Sequence, residues 1–254
     1  MAAPTFVSAG TGATDAGGAW SYTCQASDAA GRIFIVQILQ DGPSAGALTS
    51  IVGTNVESLD GTDNTWTLIR SATVGASDEA LQHLYIGRAL STSAPTISGA
   101  NSSTDDIYIR SYQFTDVSTG TTLATVIEND AGADDLTTSF AGTSATAEDA
   151  VVTTFGANRL ALNFLAVNDD NPIAQFSGQS GGTWVEVAEY ATATGTDGAI
   201  QLQHAAMASA GTINGGTASI TDSDAWGVVG FALIGTPEAV YIPHRNPYPQ
   251  LLPH

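Results

Sequence analysis

Catalysis needs functional groups held together, and the groups in this chain that could do chemistry are few and dispersed. Glu79, Glu128, Glu148, Glu186 and Glu189 show no spacing that would set two carboxylates across a scissile bond, as glycoside hydrolysis requires. His83, His204, His244 and His254 lack the short intervals of a metal site. No GxxxxGKS or GxxxxGKT phosphate loop is present. Most Asp residues fall in turns, where hydrogen bonding to the local backbone accounts for them. The expectation is a protein that is not an enzyme.

Three constellations could bind rather than react. Asn168-Asp169-Asp170-Asn171 and Asp222-Ser223-Asp224 gather hard oxygen ligands of the kind calcium selects, without matching the EF-hand pattern. No other cofactor is expected. Trp184, with a loop aromatic such as Phe176, could offer a flat face to a sugar, although large aromatics more often pack in cores. The third lies beyond residue 236. PEAVYIPHRNPYPQLLPH holds five of the nine prolines, and proline continues neither a helix nor a sheet interior. An extended, polyproline-like arm is expected over 237–254. Tyr241, Ile242, Pro243, His244, Arg245, Tyr248, Leu251 and Leu252 are its expected partner-binding residues, apolar groups on a stiff strap with no periodic face of their own.

The elements that would position these groups are written twice. GTDNTWTLIRSATVGASDEALQHLYIGRAL, Gly61 to Leu90, returns in degraded form as GGTWVEVAEYATATGTDGAIQLQHAAMA, Gly181 to Ala208. AGTGAT (Ala9 to Thr14) returns as AGTSAT (Ala141 to Thr146), GRIFIVQIL as NRLALNFLAV, and SAPTISG (Ser93 to Gly99) as SAGTING (Ser209 to Gly215). Each copy closes on an aromatic strand, DIYIRSYQF or AWGVVGFALIG. A period near 120 residues is too long for a solenoid and fits tandem domains.

The expected fold is therefore all-β: two tandem jelly-roll or Ig-like sandwich domains, 1–125 and 126–236, followed by the arm at 237–254. Each copy should hold about six or seven strands. GRIFIVQIL and NRLALNFLAV, apolar on nearly every position, read as central strands covered on both faces, with Arg32 and Arg159 at equivalent strand entrances pairing with a nearby Asp or facing solvent. AIQLQH, Ala199 to His204, alternates as a half-exposed strand with Ile200, Leu202 and His204 inward and the glutamines outward. TTLATVIEN, Thr121 to Asn129, reads as a strand between the copies. Trp66 and Trp184 need not be equally buried, because the apolar parity around them differs.

Composition narrows the partners. The formal net charge is −19, the six basic residues are all Arg, and 27 glycines punctuate a chain that is 12% charged. Phosphate backbones and anionic lipid surfaces would repel such a surface, so neither nucleic acid nor membrane is an expected partner. Cys24 is the single cysteine, so no intrachain disulfide can form. The start, MAAPTFVSAGTG, has no cationic or apolar signal region, and no run of about 18 apolar residues occurs. Synthesis in a host cytoplasm is expected.

This order of elements, an apolar strand, a Gly-rich loop before a Trp strand, a Tyr-bearing strand and an aromatic exit strand, resembles β-sandwich virion proteins of tailed bacteriophages and related archaeal viruses. The resemblance covers most of both copies. It implies a structural protein of a virus particle, decorating or cementing a capsid, with a tail, fibre or glycan-binding receptor module as the alternative. It also implies self-association as a trimer or higher and contact with other virion proteins such as the major capsid protein.

Overall fold

The structure is a computed structural model, and it describes residues 2–16, 18–42, 48–75, 80–101, 105–129, 137–148, 150–168, 173–192 and 198–236. In chain order the elements are β1 (Thr5–Ala9), β2 (Ala13–Ala16), β3 (Ala19–Thr23), β4 (Ile33–Asp41), β5 (Thr49–Thr54), β6 (Val56–Glu57), β7 (Thr67–Val74), β8 (Ala80–Ala89), β9 (Thr96–Ala100) and β10 (Asp106–Thr115). There follow α1 (Leu123–Val126), β11 (Ile127–Glu128), β12 (Thr138–Glu148), β13 (Val151–Thr154), β14 (Arg159–Val167), β15 (Trp184–Glu186), β16 (Tyr190–Thr192), β17 (Gly198–Met207), β18 (Gly211–Asn214) and β19 (Thr217–Ile234). The protein is an all-β sandwich. More strands appear in each half than the sequence suggested, because edge strands are split: β1 and β2 share β10, β6 and β7 share β8, β11 and β12 share β19, and β15 and β16 share β17.

Both halves build the same seven-stranded antiparallel sheet. Its spine runs β10-β4-β8 in the first half and β19-β14-β17 in the second, with the split strands on either side. Smaller sheets, β3-β9-β5 and β13-β18, cover the outer faces. The two large sheets pack on one another through a single core. Ile33, Ile35, Leu84, Ile86, Tyr112 and Phe114 from one sheet meet Leu160, Leu162, Phe164, Leu202, Val229 and Phe231 from the other. The alternate residues of the first sheet, Phe34, Val36, Ile38 and Tyr85, turn outward onto Trp20, Tyr22 and Ile97. Leu165, Val167 and Val228 do the same beneath Ala147, Ile173 and Phe176. Four layers result, and they explain why β4 and β14 are buried at all nine positions.

The shared core is sealed by polar groups as well. Gln37 Nε2 donates to the carbonyl of Leu165 (2.8 Å), and Gln82 Nε2 donates to that of Phe164 (3.0 Å). Tyr112 donates its hydroxyl to Gln37 Oε1 (2.9 Å). Its ring meets Phe164 edge-on at 5.6 Å, and Phe164 stacks on Phe231 at 5.7 Å. A buried amide joined to a neighbour's backbone penalises any separation of the sheets, since the freed carbonyls and amides would need new partners.

Two expectations are corrected here. Gln201 and Gln203 do not face solvent: they are 6% and 1% exposed, because the outer layer of the second half covers that face of β17. Gln203 is satisfied there by donating to Gly215 O and accepting from Gln179. Residues 121–129 form one turn of helix before a two-residue strand, not a continuous strand. Thr125 Oγ1 bonds both the N–H and the carbonyl of Thr122, which closes the turn and places Val126 in the core. Trp66 and Trp184 are buried alike, at 7% and 9%. Among the described residues no helix is long and apolar enough to cross a membrane.

Candidate functional site

The arm residues Tyr241, Ile242, Pro243, His244, Arg245, Tyr248, Leu251 and Leu252 lie outside the described residues, as do Asp169, Asp170 and Asn171 of the calcium loop. Among the described residues no group of three or more His, Cys, Asp or Glu side chains could hold a metal ion. Trp184 and Phe176 are core residues, 9% and 5% exposed, and this corrects the expectation of a sugar platform. Trp184 packs with Val152, Ala205, Met207 and Ile213, and Phe176 with Leu165 and Ile220, so neither ring presents a free face. The nearby carboxylates are used locally: Glu186 accepts from the Phe176 N–H (2.9 Å) and Glu189 from the Ile173 N–H (2.8 Å).

The one arrangement with catalytic geometry is a chain of side chains on the outer face of the first sheet. Ser71 Oγ lies 2.7 Å from His83 Nδ1, His83 Nε2 lies 3.1 Å from Gln40 Oε1, and Gln40 Nε2 lies 2.9 Å from Asp105 Oδ2. The carboxylate fixes every direction. Gln40 must donate to Asp105, so its carbonyl accepts from Nε2–H, which leaves Nδ1 to accept from Ser71. Ser71 is exposed whereas His83, Gln40 and Asp105 are buried. Sequence reasoning missed this line. Folding the chain about the turn after Gly75 sets Val74 opposite Ala80 and Ser71 opposite His83, and that register was the available signal.

The line does not activate its serine. Burial pushes His83 down from its ordinary 6.5 to about 4, so the imidazole is a weak base. Behind it stands a neutral amide rather than a carboxylate, and an amide carbonyl stabilises an imidazolium less than a carboxylate does. Its consequence is for stability. The unfolded chain takes up this proton near pH 6.5 and the folded chain only near pH 4, so the stabilisation is complete above 6.5 and lost as pH falls between these values. The span corresponds to about 3 kcal/mol. His204, which burial also shifts down, acts in the same direction. His83→Gln should flatten the acid limb of a urea-derived stability curve between pH 6.5 and 4; an unchanged slope would show that His83 is not held neutral.

The two strand-entrance arginines differ in setting. Arg32 pairs with Asp28 at 2.6 Å on the surface, and the guanidinium lowers the Asp28 pKa below the usual carboxylate range. Arg159 pairs with Glu128 through two contacts, 2.7 and 3.1 Å, with both side chains about nine-tenths buried.

The remaining site is the root of the arm. Beyond β19, Gly235 bridges Val117, Ser118 N–H donates to Ile234 O (2.8 Å), and Thr236 N–H donates to Asp116 O (2.9 Å). Gly235 also lies against the backbones of Ala2 and Asn158, beside the turn that carries Phe155, which is 69% exposed. One end of the molecule thus gathers the start of the described chain, the end of β19 and the most exposed large apolar side chain among the described residues.

These layers define an all-β sandwich in which each half repeats one strand order. The chain matches no protein-family model, no curated protein and no solved structure.

Proposed function

We propose that the protein is a non-enzymatic structural component of a virus particle, a rigid block that decorates or cements a capsid and joins its neighbours through the C-terminal arm. The observation that carries the reading is the fixed root: the chain is hydrogen-bonded to the body up to Thr236, so the Pro-rich strap leaves from a defined point. Two further features support it. Ser71 and His83 bond each other, Glu186 and Glu189 accept from backbone N–H groups, and the net charge of −19 disfavours nucleic acid and anionic membranes as partners. The partners in this reading are further copies of the chain and the major capsid protein.

The test is deletion of 237–254. Among the described residues the buried clusters are built from residues between Trp20 and Leu233, and the thermal midpoint is expected to stay where it is. Self-association and incorporation into particles should be lost. Unimpaired incorporation by the shortened chain would remove the arm from the mechanism.

A further inference from the structure

One difference between the halves leaves a strand position open. The paired registers align them: laying Ile33 on Leu160 sets Arg88 on Ala206, Ala89 on Met207 and Trp66 on Trp184. Gly53 and Gly181 also correspond, since each lies against the carbonyl of an equivalent threonine, Thr96 or Thr212. Between Gly53 and Trp66 the first half has twelve residues, 54–65, whereas between Gly181 and Trp184 the second has two, 182 and 183. The missing residues are those that make β6. In the first half β6 pairs with the end of β8, Val56 opposite Ala89 and Glu57 opposite Arg88, and Val56 is wholly buried against Gly87 and Trp66.

In the second half nothing among the described residues takes that place. The outer edge of β17 is paired as far as Ala205, opposite Trp184, and Ala206 and Met207 beyond it have no strand partner on that side. A groove of about 470 Å³ lies there, lined by Gly182, Thr183, Ala206, Met207 and Thr212 among others. Trp66 donates its indole N–H to Thr96 O (3.0 Å), but the buried Trp184 Nε1 has no acceptor. The first half thus shows what the open edge accepts: a short extended segment, antiparallel to β17, that supplies main-chain hydrogen bonds.

We propose that this groove is a strand slot filled by Ala239–Ile242 from the arm of a second copy of this chain. The proposal rests on the arm-mediated assembly described above and names the partner surface. AVYI is the strand-competent run of the arm, bounded by Pro237 and Pro243, with Val240 set opposite Met207 and Tyr241 opposite Ala206. Reach decides for a second copy. β19, β14, β17 and the slot are successive positions, three spacings of ~4.8 Å, and Thr236 stands two residues beyond Ile234, which pairs through Arg159 with Met207. The path from Thr236 to a residue opposite Met207 is therefore about 16 Å before the chain has reversed direction. Four residues to Val240 span at most about 14 Å. A neighbour's arm has no such limit.

The test places a cysteine on each side in the full chain, Ala206→Cys with Tyr241→Cys, a directly opposed pair. Cys24 is a silent background, since burial pushes its thiol up to about 12. Mild oxidation of mixed light and heavy isotope-labelled chains should give dimers and larger species whose 206–241 link joins a light chain to a heavy one. A link confined to single chains, or none above the single-cysteine controls, overturns the proposal. A second variant, Thr183→Trp, fills the groove from an exposed position. It should abolish self-association with unchanged circular dichroism and thermal midpoint. If it leaves association intact while deletion of 237–254 removes it, the slot is wrong and arm-mediated assembly stands. If the deletion itself leaves association intact, both fall.

Discussion

Phe164→Ala is expected to lower the unfolding free energy by about 3–5 kcal/mol, the range for a fully buried aromatic cut back to a methyl group. The side chain is 0% exposed and sits where the sheets meet, edge-on to Tyr112 from the first half and stacked on Phe231 from the second. A cavity there removes contacts from both sheets and withdraws support from the Tyr112–Gln37 hydrogen bond. The loss should therefore register in both halves together, as one transition at lower denaturant with an unchanged slope. Destabilisation of residues 127–236 alone would mean that the halves are held by separate cores.

Glu128→Ala should cost about 3–5 kcal/mol, because it removes the carboxylate that neutralises the Arg159 guanidinium in a site where both side chains are about nine-tenths buried. The molecule carries its own control. Arg32 occupies the equivalent strand entrance, but its partner Asp28 is about half exposed, and Asp28→Ala should cost no more than about 1 kcal/mol. Paired urea titrations of the two variants check the contrast. Equal costs would show that burial does not set the worth of these ion pairs.

The same pair shows how far the sequence could be read. Arg before an apolar run marked both strand entrances, yet nothing local distinguished a surface pair from a buried one. That depends on α1 and β11, which bring Glu128 to Arg159 across 31 positions. The runs from Ile33 and Leu160 were legible as doubly covered strands, because burial on two faces leaves no polar alternation. What covered them was not legible. An apolar face does not say whether its lid is its own small sheet or the other half of the chain.

Alternation misled at β17. Gln201 and Gln203 have the pattern of a wet face, yet both are buried, and Gln203 packs as an interior group because its amide finds a carbonyl and an amide partner there. Periodicity records polarity, and only the third dimension supplies the partners. The line from Ser71 to Asp105 escaped notice for a related reason: it joins four strands or strand ends that are distant in sequence, and just its Ser71–His83 step follows from hairpin register. The prolines beyond 236 mark the expected arm, which lies outside the described residues, whereas the pairing between 116–118 and 234–236 is made by backbone groups and leaves no side-chain signature.

The claim beneath this account is that the repeated halves are one cooperative body, joined through Phe164, Tyr112 and Gln37 rather than by a linker. Scanning calorimetry of the full chain tests it most directly. A single transition whose calorimetric and van't Hoff enthalpies agree is the expected result. Two resolved transitions, each carrying about half the heat, would contradict it.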